Sequence, residues 1–279
     1  MNVIIGIDVG GSTTKIVGYT DQAKRVGMLK VEAADPLTSA YGALGKFVSA
    51  HSLALTDVKQ IILTGVGSSL FKKKVYGIPT STVDEFKAIG LGGLALSNKK
   101  EGLIVSMGTG TAFVRAGKKG IFHIGGSGVG GGTVVGLGSQ LCGVKSFKTL
   151  VALAEKGKLS KVDLNIGDIS TRAISTLTKE ITASNFGKME DGLMPADLAV
   201  GVLNMVFQTI GMMAVFACRN EAMKDVVLTG TLSQVPSAEK VFTMLHKMHG
   251  VNFIIPQNAI YATATGAALS YLYKKGTNK

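Results

Sequence analysis

The chain has 279 residues, of which 46% are hydrophobic and 17% are charged, and its formal net charge is +12. This length and composition predict a folded protein of one large domain or two lobes, and they exclude a long disordered region. The positive charges are scattered, and the tight basic run at residues 72–74 has no interleaved aromatic residue, so we expect anionic small ligands and no nucleic acid.

Three features of the chain bear on its location. Cys142 and Cys218 are far apart and give neither a disulfide framework nor a metal-binding spacing, and the first residues lack the basic start and apolar stretch of a secretory signal. Residues 198–218 are uncharged and long enough to cross a bilayer, but Asn204 and Gln208 interrupt them, which favours a buried core or interface helix. We therefore expect a cytoplasmic protein that does not enter a membrane.

The first predicted element is a hairpin over residues 5–18, with an apolar strand, a glycine-containing turn and a second strand. Phosphate oxygens need converging backbone N–H groups and close approach, which glycine permits, and hydroxyl and ammonium groups add further bonds. An ordinary hairpin with local side-chain hydrogen bonds is the alternative for a single turn of this kind. The residues predicted to bind phosphate are Asp8, Gly10, Gly11, Ser12, Thr13 and Lys15. Asp8 is also predicted to hold Mg²⁺ through water, because Mg²⁺ prefers oxygen ligands and keeps part of its hydration shell.

Next along the chain we predict a helix at residues 39–51, a buried strand ending in Thr-Gly at residues 61–65, a short strand at 74–78, a turn at 79–82 and a helix at 84–97. Glu85 lies in the first turn of the last helix and is expected to point into the ligand cleft. A carboxylate there can orient and deprotonate an alcohol nucleophile. The alternative role is to complement the helix dipole, which Asp84 fits at least as well.

A second hairpin, over residues 103–116, repeats the layout of the first and places Gly108 opposite Gly10 and Thr111 opposite Thr13. Residues 226–230 likewise repeat the strand and Thr-Gly of residues 61–65. The duplication predicts two related α/β lobes, residues 1–98 and 99–279, with the ligand in the cleft between them. The second lobe adds the following predicted phosphate-binding residues: Gly108, Thr109, Gly110, Thr111, Gly230 and Thr231.

A glycine run at residues 125–132 precedes a predicted helix at residues 133–142. Stacked glycines before a helix expose N–H groups to an anion, so Gly130, Gly131 and Gly132 are also predicted to bind phosphate. A purely structural loop is the alternative. Further helices are predicted at residues 170–182, 197–220, 238–249 and 261–274.

Five motifs resemble, in order and spacing, those of type II pantothenate kinase, a family of the actin, Hsp70 and sugar-kinase superfamily: residues 8–15, 84–86, 108–111, 125–133 and 182–187. The resemblance implies two duplicated ribonuclease-H-like (actin-like ATPase) lobes around a nucleotide cleft, with ATP and Mg²⁺ as cofactors. It also implies phosphorylation of pantothenate at its hydroxyl, the committed step towards coenzyme A, by a homodimer whose long helices pack together. Glu85 becomes the catalytic base, and the implied acceptor-binding residues are Thr109, Ala112, His123 and Phe186.

Two positions depart from the family pattern, and both lie on the acceptor side. His123 stands where the family usually has an arginine that holds the pantothenate carboxylate, and Ala112 stands where it commonly has a hydroxyl. A neutral imidazole is a weaker carboxylate partner than a bidentate guanidinium. A kinase for another small alcohol therefore stays open as an alternative.

An ATP-driven activator of the kind that serves hydroxyacyl-CoA dehydratases is the alternative from another class. Such activators bind an iron–sulfur cluster through cysteines, and repressor-like sugar kinases usually carry a zinc-binding Cys/His cluster. Cys142 and Cys218 are too isolated to form either set within one chain.

Overall fold

The computed structural model describes residues 2–32, 35–71, 73–171 and 178–276. The first sheet contains β1 (Val3–Val9), β2 (Thr13–Thr20), β3 (Arg25–Glu32), β4 (Val58–Thr64), β5 (Lys74–Val75) and β6 (Ile78–Thr82). Its strand order is β3-β2-β1-β4-β6-β5. All seven residues of β1 are buried, as expected of a central strand covered on both faces.

The remaining strands are β7 (Gly102–Met107), β8 (Thr111–Gly117), β9 (Gly120–Ser127), β10 (Leu164–Asn165), β11 (Thr182–Ser184), β12 (Asp225–Thr229) and β13 (Asn252–Ile254). The second large sheet has the order β13-β12-β7-β8-β9, and β10 pairs separately with β11. Each large sheet thus joins three antiparallel strands to parallel partners in the same order, β3-β2-β1-β4-β6 matching β9-β8-β7-β12-β13. The predicted α/β fold of two similar lobes is confirmed.

The repeated Thr-Gly shows the same duplication at the level of single residues. Gly65 and Gly230 both have φ +85°, a conformation that favours glycine. A Cβ at Gly65 would lie 2.8 Å from the Val9 carbonyl oxygen, and one at Gly230 would lie 2.5 Å from that of Met107. Both glycines therefore let the chain turn directly against the end of the central strand of their sheet.

The two hairpins differ by one residue in the turn. Val9 pairs with Thr14 in the first hairpin, whereas Met107 pairs with Thr111 in the second. Thr111 consequently corresponds to Thr14, and the ungapped comparison that placed it opposite Thr13 is wrong by one position. The shorter turn removes one residue without changing the strands around it.

The helices are α1 (Pro36–Ala50), α2 (Glu85–Ser97), α3 (Gly131–Cys142), α4 (Phe147–Ala154), α5 (Ile166–Ile169), α6 (Pro195–Asn220), α7 (Pro236–His249) and α8 (Ala262–Gly276). Four of them begin two or three residues before their predicted starts; in α1, α6 and α7 the reason is a proline in the first turn, where its missing N–H costs nothing. Of the helix predicted at residues 170–182, residues 172–177 lie outside the described residues, and the described remainder is not helical, because Thr182 already begins β11. The strand predicted at 74–78 is a hairpin instead, since Tyr76 and Gly77 form the turn and β6 runs through the residues expected to be a turn.

The two halves of the chain exchange helices: α8 packs on the first sheet and α2 packs on the second. α8 covers the first sheet, with Ala264 and Ala268 packed against Ile4 and Ile62. α2 packs on the second sheet, where Ile89 joins a buried cluster with strands β7, β8 and β12. We keep the proposal that the two domains divide near residue 98. The helix that ends each half, α2 or α8, then packs against the sheet of the other half.

Glycines let α2 and α8 approach backbone to backbone. A Cβ at Gly92 would lie 1.7 Å from the Ala262 carbonyl oxygen, and a Cβ at Gly266 would lie 1.8 Å from that of Ala88. No side chain larger than hydrogen fits at either position without separating the helices.

α6 is the central helix of the second half. Val206, Phe207 and Ile210 are fully buried in the largest hydrophobic cluster. Within the described part of the chain it is the one helix long and apolar enough to span a membrane, and 61% of its most apolar window is buried inside the protein. This burial supports the core helix predicted for residues 198–218.

Candidate active site

The carboxyl end of β1 carries a polar group. Asp8 pairs across the hairpin with Lys15, and its Oδ2 lies 3.3 Å from the lysine Nζ. Both side chains are about nine-tenths buried, so each charge is compensated by the other. Thr64 pairs with Asp8 from β4, and among the described residues its buried hydroxyl has no hydrogen-bond partner. This end of the sheet therefore holds an ion pair beside an unsatisfied hydroxyl.

The turn of the first hairpin is open to solvent. Gly10 N donates to the Thr13 carbonyl oxygen at 3.1 Å, which closes the turn. Gly11 and Ser12 at the tip are exposed, while Thr13 is 9% exposed. The tip that is predicted to bind phosphate is thus accessible to solvent, and the strands that carry it hold the buried ion pair of Asp8 and Lys15.

Glu85 is the first residue of α2, just beyond the carboxyl ends of parallel strands β4 and β6. Asp84 caps the helix, because its Oδ1 accepts a hydrogen bond from Lys87 N at 2.9 Å. Burial raises the pKa of Glu85, and the negative charges of Asp8 and Asp84 raise that pKa further against the opposing effect of Lys15. Asp84 therefore caps the helix, and the Glu85 carboxylate instead interacts electrostatically with the charged residues of the first hairpin.

Two residues that are predicted to bind the acceptor lie near Phe86, in the first turn of α2. His123, on β9, stacks on Phe86 with ring centroids 3.8 Å apart and planes 11° from parallel. Ala112, on β8, packs against the same hydrophobic cluster as Phe86. The structure thus places the His123 imidazole against the residue that follows Glu85, and Ala112 lies on the neighbouring strand β8.

The glycine run supports the second hairpin. Gly131 N donates to the Gly108 carbonyl oxygen and Gly132 N to that of Thr109, both at 2.8 Å. A Cβ at Gly130 would lie 2.6 Å from the Thr109 carbonyl oxygen. N–H groups expected to face an anion already have acceptors in this conformation, which supports the structural alternative. Phosphate binding by Gly130, Gly131 and Gly132 stays a prediction.

Other backbone contacts shape the remaining residues predicted to bind phosphate. The Thr111 hydroxyl donates to the Val129 carbonyl oxygen at 2.8 Å, and a Cβ at Gly110 would lie 2.8 Å from the Ser127 carbonyl oxygen. Gly230 N donates to the Ala259 carbonyl oxygen at 3.2 Å, and Thr231 begins the short 3₁₀ turn that follows. Because Gly230 also touches Met107, this turn lies beside the second hairpin.

Phe186 is not brought to this group. It has φ +55°, and its ring lies 3.2 Å from where a Cβ of Gly201 on α6 would stand. Its N–H donates to Asp163 Oδ1 at 2.9 Å. Its acceptor-binding role stays a prediction, and the contacts found for it join it to α6.

Asp163 is a buried carboxylate that the sequence reading missed. Its side chain accepts hydrogen bonds from Thr182, Asn185 and Asn204 as well as from Phe186 N. The residue is fully buried and tied by these neutral donors to the motif at residues 182–187 and to α6. The available signal was an acid placed between two apolar residues, Val162 and Leu164.

The chain resembles known proteins over nearly its whole length. The family model Fumble matches residues 96–247. A type II pantothenate kinase of Oceanobacillus iheyensis is 30% identical over 281 residues, which cover 95% of this chain and 98% of the relative. The chain belongs to the type II pantothenate kinase family. A relative of the same name from Bacillus cereus strain G9842 is 27% identical and covers 83% of this chain and 84% of its own.

Solved structures agree with the fold of this kinase family member. The activator of 2-hydroxyisocaproyl-CoA dehydratase from Clostridium difficile, with bound ADPNP, has a TM-score of 0.71 at 15% identity, over 99% of this chain and 96% of its own. A ROK family glucokinase from Streptomyces griseus, in complex with glucose and AMPPNP, has a TM-score of 0.60 at 12% identity, over 96% and 98%. At these identities the likeness shows the shared two-lobed fold.

Metal and cluster sites can be tested on the residues present in this family member. Among the described residues, no group of three or more His, Cys, Asp or Glu side chains could hold a metal ion. Cys142 and Cys218 are free, and burial raises the pKa of the Cys218 thiol to about 11. The single carboxylate of Asp8 suits a hydrated Mg²⁺ that keeps most of its water ligands, whereas neither cysteine is placed to act as a thiolate ligand.

Proposed function

We propose that this protein is an ATP-dependent kinase that phosphorylates pantothenate to 4'-phosphopantothenate, the first step of coenzyme A biosynthesis. The observation that carries the proposal is the match to a type II pantothenate kinase over 95% of this chain. The placement of Glu85 beside Asp8 and Lys15 supports it, because a base for the acceptor hydroxyl then adjoins the predicted phosphate grip.

The donor side is assigned to the first hairpin. When bound, ATP supplies the phosphoryl group. The exposed residues Gly11 and Ser12 offer backbone N–H groups to phosphate oxygens, Gly10 shapes the turn by donating its own N–H to Thr13, and Lys15 neutralises the phosphate charge. Asp8 would hold hydrated Mg²⁺ through water, and its carboxylate now accepts a hydrogen bond from Lys15.

The acceptor side is assigned to the first turn of α2 and the edge of the second sheet. Glu85 accepts the proton of the acceptor hydroxyl, and its raised pKa makes it a better base than an ordinary carboxylate. His123, exposed on β9, meets the pantothenate carboxylate in this proposal, and Thr109 and Ala112 add predicted acceptor contacts, whereas the contact predicted for Phe186 is not supported by its packing against α6.

We further propose a cytoplasmic homodimer that associates through the exposed face of α6. Phe216 on this helix is 58% exposed, and Met212 and Met213 are half-buried. An apolar strip of this kind on an otherwise buried helix fits a self-complementary contact between two copies. Sedimentation velocity of the wild type and of Phe216→Glu tests it, since a wild-type monomer would rule it out.

A coupled assay of ADP formation tests the proposed function. It is run with pantothenate, with simple sugars and without acceptor, on the wild type, Glu85→Ala and the matched control Glu155→Ala, which alters an exposed residue after α4. We expect pantothenate-dependent turnover in the wild type and Glu155→Ala, and none in Glu85→Ala, which still binds ATP.

Other outcomes of the same assay discriminate between the alternatives. Turnover with a sugar alone would replace pantothenate as the substrate. Hydrolysis without any acceptor would favour the activator class, whose C. difficile member has the TM-score of 0.71. Wild-type activity in Glu85→Ala would remove the base assignment.

A further inference from the structure

The stack of His123 on Phe86 joins two parts of the fold. Phe86 belongs to α2, which follows the first sheet in the chain, whereas His123 belongs to β9, the edge strand of the second sheet. Their ring centroids are 3.8 Å apart with planes 11° from parallel, which is a closely stacked pair. The contact therefore fixes the start of α2 against the second sheet.

A second contact continues the same line of packing. Gly90, one helical turn after Phe86, lies under Ile121, two residues before His123, and a Cβ there would be 2.6 Å from Ile121 Cγ2. Helix and strand thus run side by side in register, since residues four apart on a helix and two apart on a strand share a face. The stacked pair is the last contact of this line, next to the helix start.

Glu85 immediately precedes Phe86, so the stack lies next to the residue that needs the most exact placement. Capping by Asp84 shapes the first turn from within but does not locate it against the second sheet. Glu85 is half-buried near the like charge of Asp8, an arrangement that relaxes if the turn is free to move.

We propose that His123 is a positioning residue whose stack on Phe86 holds Glu85 in its place for proton transfer. This role rests on the proposed function of Glu85 and is additional to any contact of His123 with the acceptor. Displacing a reacting group by about 1 Å costs up to about 100-fold in rate, so loss of the stack acts mainly on kcat. Loss of an acceptor contact acts mainly on KM.

Kinetics of three variants test the proposal. We expect His123→Ala to lower kcat about tenfold or more, and His123→Phe, which keeps an aromatic ring on Phe86, to restore kcat to within about threefold of wild type while KM stays raised. Phe122→Ala is the matched control, because Phe122 is the neighbouring residue on β9, 51% exposed, and should leave both constants unchanged. An unchanged kcat in His123→Ala, or no recovery in His123→Phe, would overturn the proposal.

A readout independent of turnover separates this proposal from the proposed function. The carboxyl ¹³C resonance of Glu85, identified by its loss in Glu85→Gln, is titrated in the wild type, His123→Ala and His123→Phe. We expect the pKa of Glu85 to fall towards its ordinary value in His123→Ala and to return in His123→Phe. Three identical titration curves would refute the positioning role even if pantothenate proved to be the wrong acceptor.

Discussion

The contact between α2 and α8 predicts a large effect for one added methyl group. In Gly92→Ala the new Cβ would stand 1.7 Å from the Ala262 carbonyl oxygen, whereas real Cβ atoms essentially never come within 3.0 Å of such an atom. The helices must therefore separate by about 1.3 Å, and a backbone carbonyl cannot turn aside as a side chain can.

The magnitude follows from two opposing effects. Overpacking of this kind costs about 3 kcal/mol, and the better helix propensity of alanine returns about 1 kcal/mol. We expect a net loss of about 2 kcal/mol in the free energy of unfolding. Phosphoryl transfer should fall as well, because the separation moves the helix that begins at Glu85.

Urea unfolding followed by far-UV circular dichroism measures this loss, with Gly45→Ala as the control. Gly45 lies on the exposed face of α1, and a Cβ there meets nothing within 4 Å, so this variant should gain up to about 1 kcal/mol. If Gly92→Ala proved as stable as Gly45→Ala, the close crossing of the two helices would be refuted.

Three further predictions concern single side chains. Because the fold raises the pKa of Glu85, its ionised form is disfavoured, and Glu85→Gln should be more stable than wild type at neutral pH. Urea unfolding should show that this difference in stability vanishes as the pH falls below 4.5, the ordinary pKa of the group. A difference that stays constant with pH would contradict the prediction. His123→Arg should lower KM for pantothenate about tenfold while kcat holds, since arginine binds carboxylates in two places and also stacks on aromatic rings; an unchanged KM would remove His123 from carboxylate binding. Asp163→Ala should cost about 3 kcal/mol of unfolding free energy in urea, because the amide of Asn204 and the N–H of Phe186 lose their buried acceptor; a loss below about 1 kcal/mol would show that other groups satisfy them.

Local repeats in the sequence predicted the duplicated sheets because each repeat carries its own backbone requirement. The Thr-Gly pairs that end in Gly65 and Gly230 can be recognised in the sequence, and both glycines adopt φ +85°. The one-residue difference between the hairpins was not readable, since Thr13 and Thr14 are the same residue type and only strand pairing tells which corresponds to Thr111.

Long-range packing explains which features of the structure could not be predicted from the sequence. The exchange of α2 and α8 depends on Gly92 and Gly266, which lie far apart in the chain and look like helix-weakening residues when taken singly. The glycine run was expected to present N–H groups to an anion, but Gly131 and Gly132 donate to the second hairpin instead. Local motifs indicate which groups are available, and the tertiary fold decides which of them stay free.

The exchanged helices also set an order for folding during synthesis. The first sheet is complete in the chain by Thr82, yet Ile4, Val17 and Ile62 are covered by α8, whose residues follow the whole second sheet in the chain. The nascent first half must therefore leave an apolar face open until the C-terminal helix emerges from the ribosome. Loss of that helix would uncover the first sheet, at the opposite end of the chain from the truncation.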